Sequence, residues 1–212
     1  GFLKIPNSII FIENSAFSGC SGFIGPLELP NSIKIIGHSA FAYCFGFNGS
    51  LILSNTLTII EDFSFCGCNN FTGDLKIPKN IIKIGNYAFT NCSKFTGSLI
   101  IPNSVSIIGN YSFAGCSGFN GYTVTVISES AFANCSGFIG ILSIPSSVII
   151  IESYAFFGCS SFSGTLIITE YITYIGNSSF YDCSGFLELE INSRDIFIGD
   201  MAFSSTNLSI VS

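Results

Sequence analysis

Residues 99–121 read LIIPNSVSIIGNYSFAGCSGFNG, and closely similar stretches precede and follow them along the 212-residue chain. Each copy spaces a Phe, a Cys and a second Phe three residues apart, as Phe113, Cys116 and Phe119 do here. A fixed period of roughly 20–50 residues is typical of solenoids, propellers and other repeat arrays. This unit therefore predicts a repeat architecture.

The Phe and Cys positions define three columns that run through the chain. The first Phe column steps by 24 residues, apart from one step of 19 and a last step of 23, and consists of Phe17, Phe41, Phe65, Phe89, Phe113, Phe132, Phe156, Phe180 and Phe203. The Cys column consists of Cys20, Cys44, Cys68, Cys92, Cys116, Cys135, Cys159 and Cys183. The second Phe column consists of Phe2, Phe23, Phe47, Phe71, Phe95, Phe119, Phe138, Phe162 and Phe186. This regularity indicates about nine copies of one unit.

Each unit contains two β-rich runs separated by turn residues. Leu99 and Ile101 alternate along the first run as the buried residues of a strand do, and a Pro-Asn-Ser turn ends it. A second run, 105–108, ends at Gly109. Residues 112–116 are too few for a helix and predict a single short helical turn.

No single unit can bury its own apolar side chains, but a stack of units can. With coils ~4.8 Å apart, identical residues lie over one another and form ladders. We therefore predict a mostly β repeat solenoid of right-handed parallel coils with short helical turns, with about nine repeats of 24 residues. We expect residues 1–212 to form a single solenoid, as a fragment of a longer protein. The irregular short repeat near 114–132, which lacks five residues, is expected to interrupt the sheet.

The pattern Leu-x-Ile-Pro-x-Ser-Val-x-x-Ile-Gly-x-x-Ala-Phe-x-x-Cys resembles the BspA-like family of leucine-rich repeats. It is visible at Leu75–Cys92, Leu99–Cys116 and Leu142–Cys159, whereas the Leu-x-x-Leu-x-Leu-x-x-Asn pattern of other leucine-rich repeats is missing. The resemblance implies the leucine-rich-repeat fold. It also implies a class of large secreted or cell-surface proteins of bacteria and parasitic protists, associated with adhesion to host or matrix proteins. An extracellular or cell-surface location is therefore expected from the resemblance.

Charge and composition exclude several classes of function. The net charge of −6 argues against nucleic acid as a partner, because phosphates require a basic surface. Even the longest strictly aliphatic runs are as short as Val148–Ile151, whereas a membrane span needs ~20 apolar residues in succession. His38 is the one histidine and stands in a polar turn column, without the partners that a general base needs. We predict no enzyme activity, no cofactor and no metal site.

The nine cysteines allow three interpretations. Neighbouring coils would hold the Cα atoms of the Cys column ~5 Å apart, within disulfide range, but nearly parallel Cβ vectors give poor bridge geometry. Cys66 and Cys68 have a spacing found in metal sites, but they lack a second pair and a nearby His. We favour a column of buried thiols that pack as small apolar side chains.

Two columns supply candidate protein-binding residues. The first precedes the inward Ile of the second run and is apolar in eight of nine copies; its candidates are Ile35, Ile59, Lys83, Ile107, Ile150 and Tyr174. The second lies within the first run, and its candidates are Ile52, Lys76 and Ile100. Outward-facing columns would form apolar stripes, which mark association sites. A twist of the second run would instead turn the first column inward, and the sequence leaves both arrangements open.

These observations predict a non-enzymatic protein-binding or adhesion module at a cell surface that uses the exposed strand face. The expected partner is a host or matrix protein, because outward columns of a solenoid can vary without disturbing its ladders. The alternative is a structural spacer or a self-associating surface segment with no ligand of its own, in which the exposed Ile residues serve lateral packing.

Overall fold

A computed structural model describes residues 1–102, 104–119, 121–123, 127–144, 146 and 148–210. In these ranges the chain forms short strands and turns, without a helix. The strands are β1 (Phe11–Ile12), β2 (Gly25–Glu28), β3 (Ile35–Ile36), β4 (Phe47–Ile52), β5 (Ile59–Ile60), β6 (Leu75–Lys76), β7 (Lys83–Ile84), β8 (Ser98–Ile100), β9 (Ile107–Ile108), β10 (Gly121–Thr123), β11 (Ile150–Ile151), β12 (Gly164–Ile168), β13 (Tyr174–Ile175), β14 (Phe186–Ile191), β15 (Phe197–Ile198) and β16 (Ser209–Ile210).

The strands form two ladders, one from each β-rich run of the repeat. The even-numbered strands form the Leu ladder, in which Leu75 pairs with Leu99 of the next coil. The odd-numbered strands form the Ile ladder, in which Ile84 pairs with Ile108. Every strand pairing is parallel, and each joins neighbouring coils. The predicted parallel β solenoid is confirmed.

The two Phe columns form the centre of the core. Consecutive rings of the first column stack with centroids 5.1–5.7 Å apart and interplanar angles of at most 13°. Consecutive rings of the second column lie 5.2–6.3 Å apart from Phe23 to Phe186. Together with the inward Leu and Ile residues they form one hydrophobic cluster from Ile12 to Ala202. The vertical register inferred from the sequence is therefore present.

The number of complete turns is about seven, rather than the nine repeats predicted. Seven consecutive coils, from Phe41 and Phe47 to Phe180 and Phe186, bury both of their ladder rings. In the end coils, Phe17 and Phe203 are only partly buried. The difference arises because an end coil packs against a neighbour on one side only.

The short helical turn predicted at 112–116 is wrong. Three overlapping tight turns occupy this segment, closed by hydrogen bonds from the amides of Ser112, Ala114 and Cys116 to the carbonyls three residues earlier. The intervening amides donate to the next coil instead, as Phe113 does to the carbonyl of Ala131 at 2.9 Å. Tyr111 (φ 56°) and Gly115 (φ 71°) adopt left-handed conformations. These conformations direct alternate amides along the stack, which a helix would not allow.

The short repeat near 114–132, which was expected to interrupt the sheet, contributes β10, and β10 pairs in register with β8. Residues 124–126 of this repeat lie outside the described residues. In the Leu ladder, β6, β8 and β10 form one sheet and β12, β14 and β16 another; in the Ile ladder, β5, β7 and β9 form one sheet and β11, β13 and β15 another. A further interruption was not predicted: in the Ile ladder it falls between β3 and β5, in the second and third coils, and in the Leu ladder between β4 and β6, in the third and fourth coils. Between the second and third coils, the hydroxyls of Ser54 and Thr56 both donate to the carbonyl of Ile33 at 2.7 Å. Side-chain hydrogen bonds thus join these two coils at residues 54–56, the position that a Pro-Asn-Ser turn occupies in other coils, such as residues 30–32.

Candidate functional site

The first residue of each Ile-ladder strand points outward, and the second is buried in the core in every strand except β15, where Ile198 is 42% exposed. We call the outward residues the apolar stripe: Phe11, Ile35, Ile59, Lys83, Ile107, Ile150, Tyr174 and Phe197. Five of them, Phe11, Ile35, Ile107, Ile150 and Phe197, are 45–58% exposed, and the other three are half-buried. Of the two arrangements that the sequence left open, the outward one is therefore present. Val126, in the same sequence column, lies outside the described residues.

The outward residues of the Leu ladder form a second surface of different character. Glu28, Ile52, Lys76, Ile100, Ser143, Ile167 and Glu190 are all exposed, and the inward residue before each of them is buried. Alternation along these short strands separates the core side chains from the surface side chains. From Glu28 to Ile100, charged and apolar residues alternate from coil to coil along this face.

A groove of about 1110 Å³ runs over the Leu-ladder face of the first four coils. Its floor includes Lys4, Glu28, Ile52 and Lys76, one outward residue from each coil. Pro26, Pro30 and Pro78 and the side chains of three asparagines also line it; the asparagines are Asn7, Asn31 and Asn55. The amide of Asn55 donates to Oδ1 of Asn31 at 2.8 Å, which fixes one of these side chains along the wall.

The groove carries both signs of charge beside an apolar centre. Nζ of Lys76 lies 3.6 Å from Oδ2 of Asp74, and both side chains are exposed. An exposed pair of this kind contributes little to stability, and so its charges are available to a bound molecule. Lys4 and Glu28 add one charge of each sign, and Ile52 is half exposed between them and Lys76.

The structure separates the nine candidate residues into two sets. Ile52 and Lys76 line the groove, and Ile100 follows in the same column one coil beyond it. Ile35, Ile59, Lys83, Ile107, Ile150 and Tyr174 belong to the apolar stripe on the other ladder. Sequence reasoning missed Asp74 and the groove prolines, because a groove depends on how the coils lie in space.

The Cys column is an internal hydrogen-bonded ladder. Seven of its eight thiols are buried, Cys20 is partly exposed, and all nine cysteines of the chain are free. From the second coil onward each thiol donates to the carbonyl of a first-column Phe in the preceding coil, as Cys116 does to Phe89 at 3.0 Å. Burial raises the pKa of the Cys92, Cys135 and Cys159 thiols well above the ordinary value. Since the thiolate is the reactive form, these buried thiols are expected to be unreactive and to serve as packing groups of the core.

The polar turn column that contains His38 is also a ladder. The amide of Asn86 donates to Oδ1 of Asp62, and the amide of Asn110 to Oδ1 of Asn86, both at 2.8 Å. His38 itself is exposed, and its amide donates to Oδ1 of Asn14 at 2.9 Å. The column of short polar residues was visible in the sequence, but its hydrogen bonding between coils was not recognised there.

Neither a metal site nor a membrane-crossing element is found where the structure describes the chain. Those residues include no group of three or more His, Cys, Asp or Glu side chains placed to hold a metal ion. The same ranges contain no helix of the length and apolar character that a bilayer crossing requires. The candidate functional sites are the outward surfaces of the two ladders, the apolar stripe and the groove.

Parallel coils with a Leu-x-Ile strand, a stacked Phe and a buried Cys in each define a leucine-rich-repeat solenoid. The sequence pattern of the BspA type leucine rich repeat region matches residues 2–120 and 119–212, in six copies. The chain belongs to this family.

Solved structures of bacterial leucine-rich-repeat proteins share the fold. A leucine-rich repeat protein from Bacteroides ovatus superposes with a TM-score of 0.73 at 24% identity, over 93% of this chain and 56% of that one. A leucine rich cell surface protein from Faecalibacterium prausnitzii gives 0.55 at 20% identity, over 86% and 63%. A T. pallidum leucine rich repeat protein gives 0.61 at 21% identity, over 82% and 70%. The chain thus spans less than two thirds of the length of the first two, and no curated protein matches it.

Proposed function

We propose that the chain is a non-enzymatic binding module of a cell-surface protein and that it holds a host or matrix protein in the Leu-ladder groove. The observation that carries this proposal is the groove itself, a concave surface of about 1110 Å³ formed by four successive coils. The relative from Faecalibacterium prausnitzii is a leucine rich cell surface protein, which supports a surface location for this chain.

The composition of the groove favours a polypeptide as its ligand. Its floor presents Lys4, Glu28, Ile52 and Lys76 within four coils, so a complementary ligand needs both signs of charge and an apolar group. Protein surfaces supply that mixture, whereas a polyanion would be repelled by Glu28 and Asp74. Each of these residues is exposed and replaceable without change to the core.

A binding assay with matched variants tests the proposal. The probes are purified extracellular-matrix proteins, immobilised one at a time and measured by surface plasmon resonance. We expect at least one to bind the chain, and the variant Ile52→Ser/Lys76→Ser to lose that binding. Ile167→Ser is the control, because Ile167 occupies the same outward column outside the groove.

The results separate the groove from other surfaces. Binding that survives in the groove variant, or that is lost equally in Ile167→Ser, would contradict the proposal. Circular dichroism of each variant checks that the ladders remain intact. Loss of binding in Ile59→Ser/Ile107→Ser, with the groove variant unaffected, would place the ligand on the stripe instead.

One observation favours a second function, a structural or self-associating segment. The apolar stripe lies on the Ile ladder, outside the groove, and it contains a single charged residue, Lys83, among its described members. A ligand bound in the groove would therefore leave the apolar stripe exposed to solvent.

A further inference from the structure

We propose that the apolar stripe is the contact surface for a second copy of this chain, packed face to face with the order of its coils reversed. The proposal concerns the Ile ladder and is independent of the groove on the Leu ladder. It rests on three properties of the stripe: its area, its regular spacing and the position of its one charge.

The exposed apolar area is close to what a stable dimer needs. Phe11, Ile35, Ile107, Ile150 and Phe197 are each about half exposed, and so are Ile10, Ile82 and Ile149, the residues before three of the stripe positions. A Phe side chain can bury about 150–250 Å² and an Ile roughly the lower end of that range, so half of each leaves the eight residues with roughly 700 Å² of exposed area. A specific interface buries about 800 Å² per partner, and the largest apolar patch of a typical monomer is about 300–600 Å².

The spacing of the stripe suits another copy of the same surface. Within each sheet of the Ile ladder its members stand opposite one another in parallel register, such as Lys83 opposite Ile107 and Tyr174 opposite Phe197, and the stacked first-column Phe rings continue across the gaps between these sheets. Neighbouring strands lie ~4.8 Å apart, so the distance from Phe11 in the first coil to Phe197 in the ninth is roughly 38 Å. A second copy presents the same row at the same spacing, and a two-fold axis lets each row cover the other.

Lys83 determines the relative direction of the two copies. If both copies ran in the same direction, each coil would face its own equivalent, and Lys83 would face Lys83. Like charges in a desolvated contact are unfavourable. Reversed order, centred on the fifth of the nine coils, which contributes Ile107, separates the two lysines. It also places Phe11 opposite Phe197 of the second copy at both ends of the interface.

Sedimentation of the purified chain tests the association. We expect a dimer at micromolar concentrations and, for Ile107→Lys, on the order of 100-fold weaker association, because the two-fold axis brings the two introduced charges together. The control Ile100→Lys lies on the Leu ladder with similar exposure and is expected to remain dimeric. A wild-type chain that is monomeric at every concentration, or an Ile107→Lys variant that dimerises like the wild type, would overturn the proposal.

Cross-linking tests the reversed order in the dimer. In a Cys20→Ser background, which removes the partly exposed thiol, Ile107→Cys should form a disulfide-linked dimer under mild oxidation. Ile35→Cys should not, because the second coil faces the eighth. Equal cross-linking of both variants would mean that the copies run in the same direction, and the absence of cross-linking in both would place the contact elsewhere. Either result would refute the arrangement.

Discussion

Truncation of one ring in the first Phe column is expected to destabilise the solenoid severely. Phe89 is fully buried, and its ring stacks on Phe65 and Phe113, with both centroids 5.4 Å away. Phe89→Ala removes the transfer free energy of the ring and leaves a cavity, which together cost about 3–5 kcal/mol. Phe89→Leu keeps most of the buried area but loses both ring contacts, each worth about 0.5–1.5 kcal/mol. We expect its loss to be about 1–3 kcal/mol.

The assay must take into account that repeat arrays unfold by nearest-neighbour cooperativity. Urea unfolding fitted with a nearest-neighbour model gives the free-energy loss of each variant. Amide exchange localises it, since the amide of Phe89 bonds to the carbonyl of Ser112 in the next coil. Phe45→Ala is the matched control, because Phe45 is exposed outside both the stripe and the groove and its loss should stay below about 1 kcal/mol. A Phe89→Ala variant as stable as that control would refute the stacked core.

Two further predictions concern the buried thiols and the cross-coil contacts. Alkylation of the folded chain should modify Cys20 before any column thiol, as mass spectrometry after limited labelling would show. Burial raises the pKa of the Cys116 thiol, so the folded state keeps a proton that the unfolded state releases above pH 9.0. The free energy of unfolding should therefore fall as the pH rises through this range, by about 1 kcal/mol at pH 10 for this thiol, and Cys116→Ala should reduce the fall measured by urea unfolding. Gly67→Ala should cost about 1–3 kcal/mol, because Gly67 has a φ of +73° and an added Cβ would lie 2.6 Å from Cδ1 of Tyr43. Tyr43→Ser should relieve part of that cost, and additive losses in the double variant would contradict the contact.

The core could be predicted from the sequence because it depends on one repeated relation. Once Phe41 and Phe65 occupy equivalent places in identical units, stacking puts one over the other, and their rings lie 5.6 Å apart. This prediction needed only the period.

The turn segment could not be predicted, because its backbone conformation is imposed by neighbouring coils. Phe63, Tyr87 and Met201 adopt a φ of 54–58°, although large side chains disfavour the left-handed region. Hydrogen bonds along the stack, such as that from the amide of Tyr87 to the carbonyl of Asn110 at 2.9 Å, hold them there. A local pattern contains no information about such bonds. The groove could not be predicted either, because it depends on how four successive coils lie relative to one another.

The two ladders differ in their outward residues, although the inward residues of both are apolar and pack in the same core. In the first four coils, the outward residues of the Leu ladder are Lys4, Glu28, Ile52 and Lys76, whereas three of the four in the Ile ladder are apolar. These outward side chains contribute little to the core, so folding does not explain the contrast. If contact with a second copy explains it, Lys83 is the one stripe residue that opposes association. Lys83→Ile should therefore tighten the dimer while leaving binding in the groove unchanged, and sedimentation together with surface plasmon resonance of this single variant measures both. A change in ligand binding without a change in association would show that the two surfaces do not have separate roles.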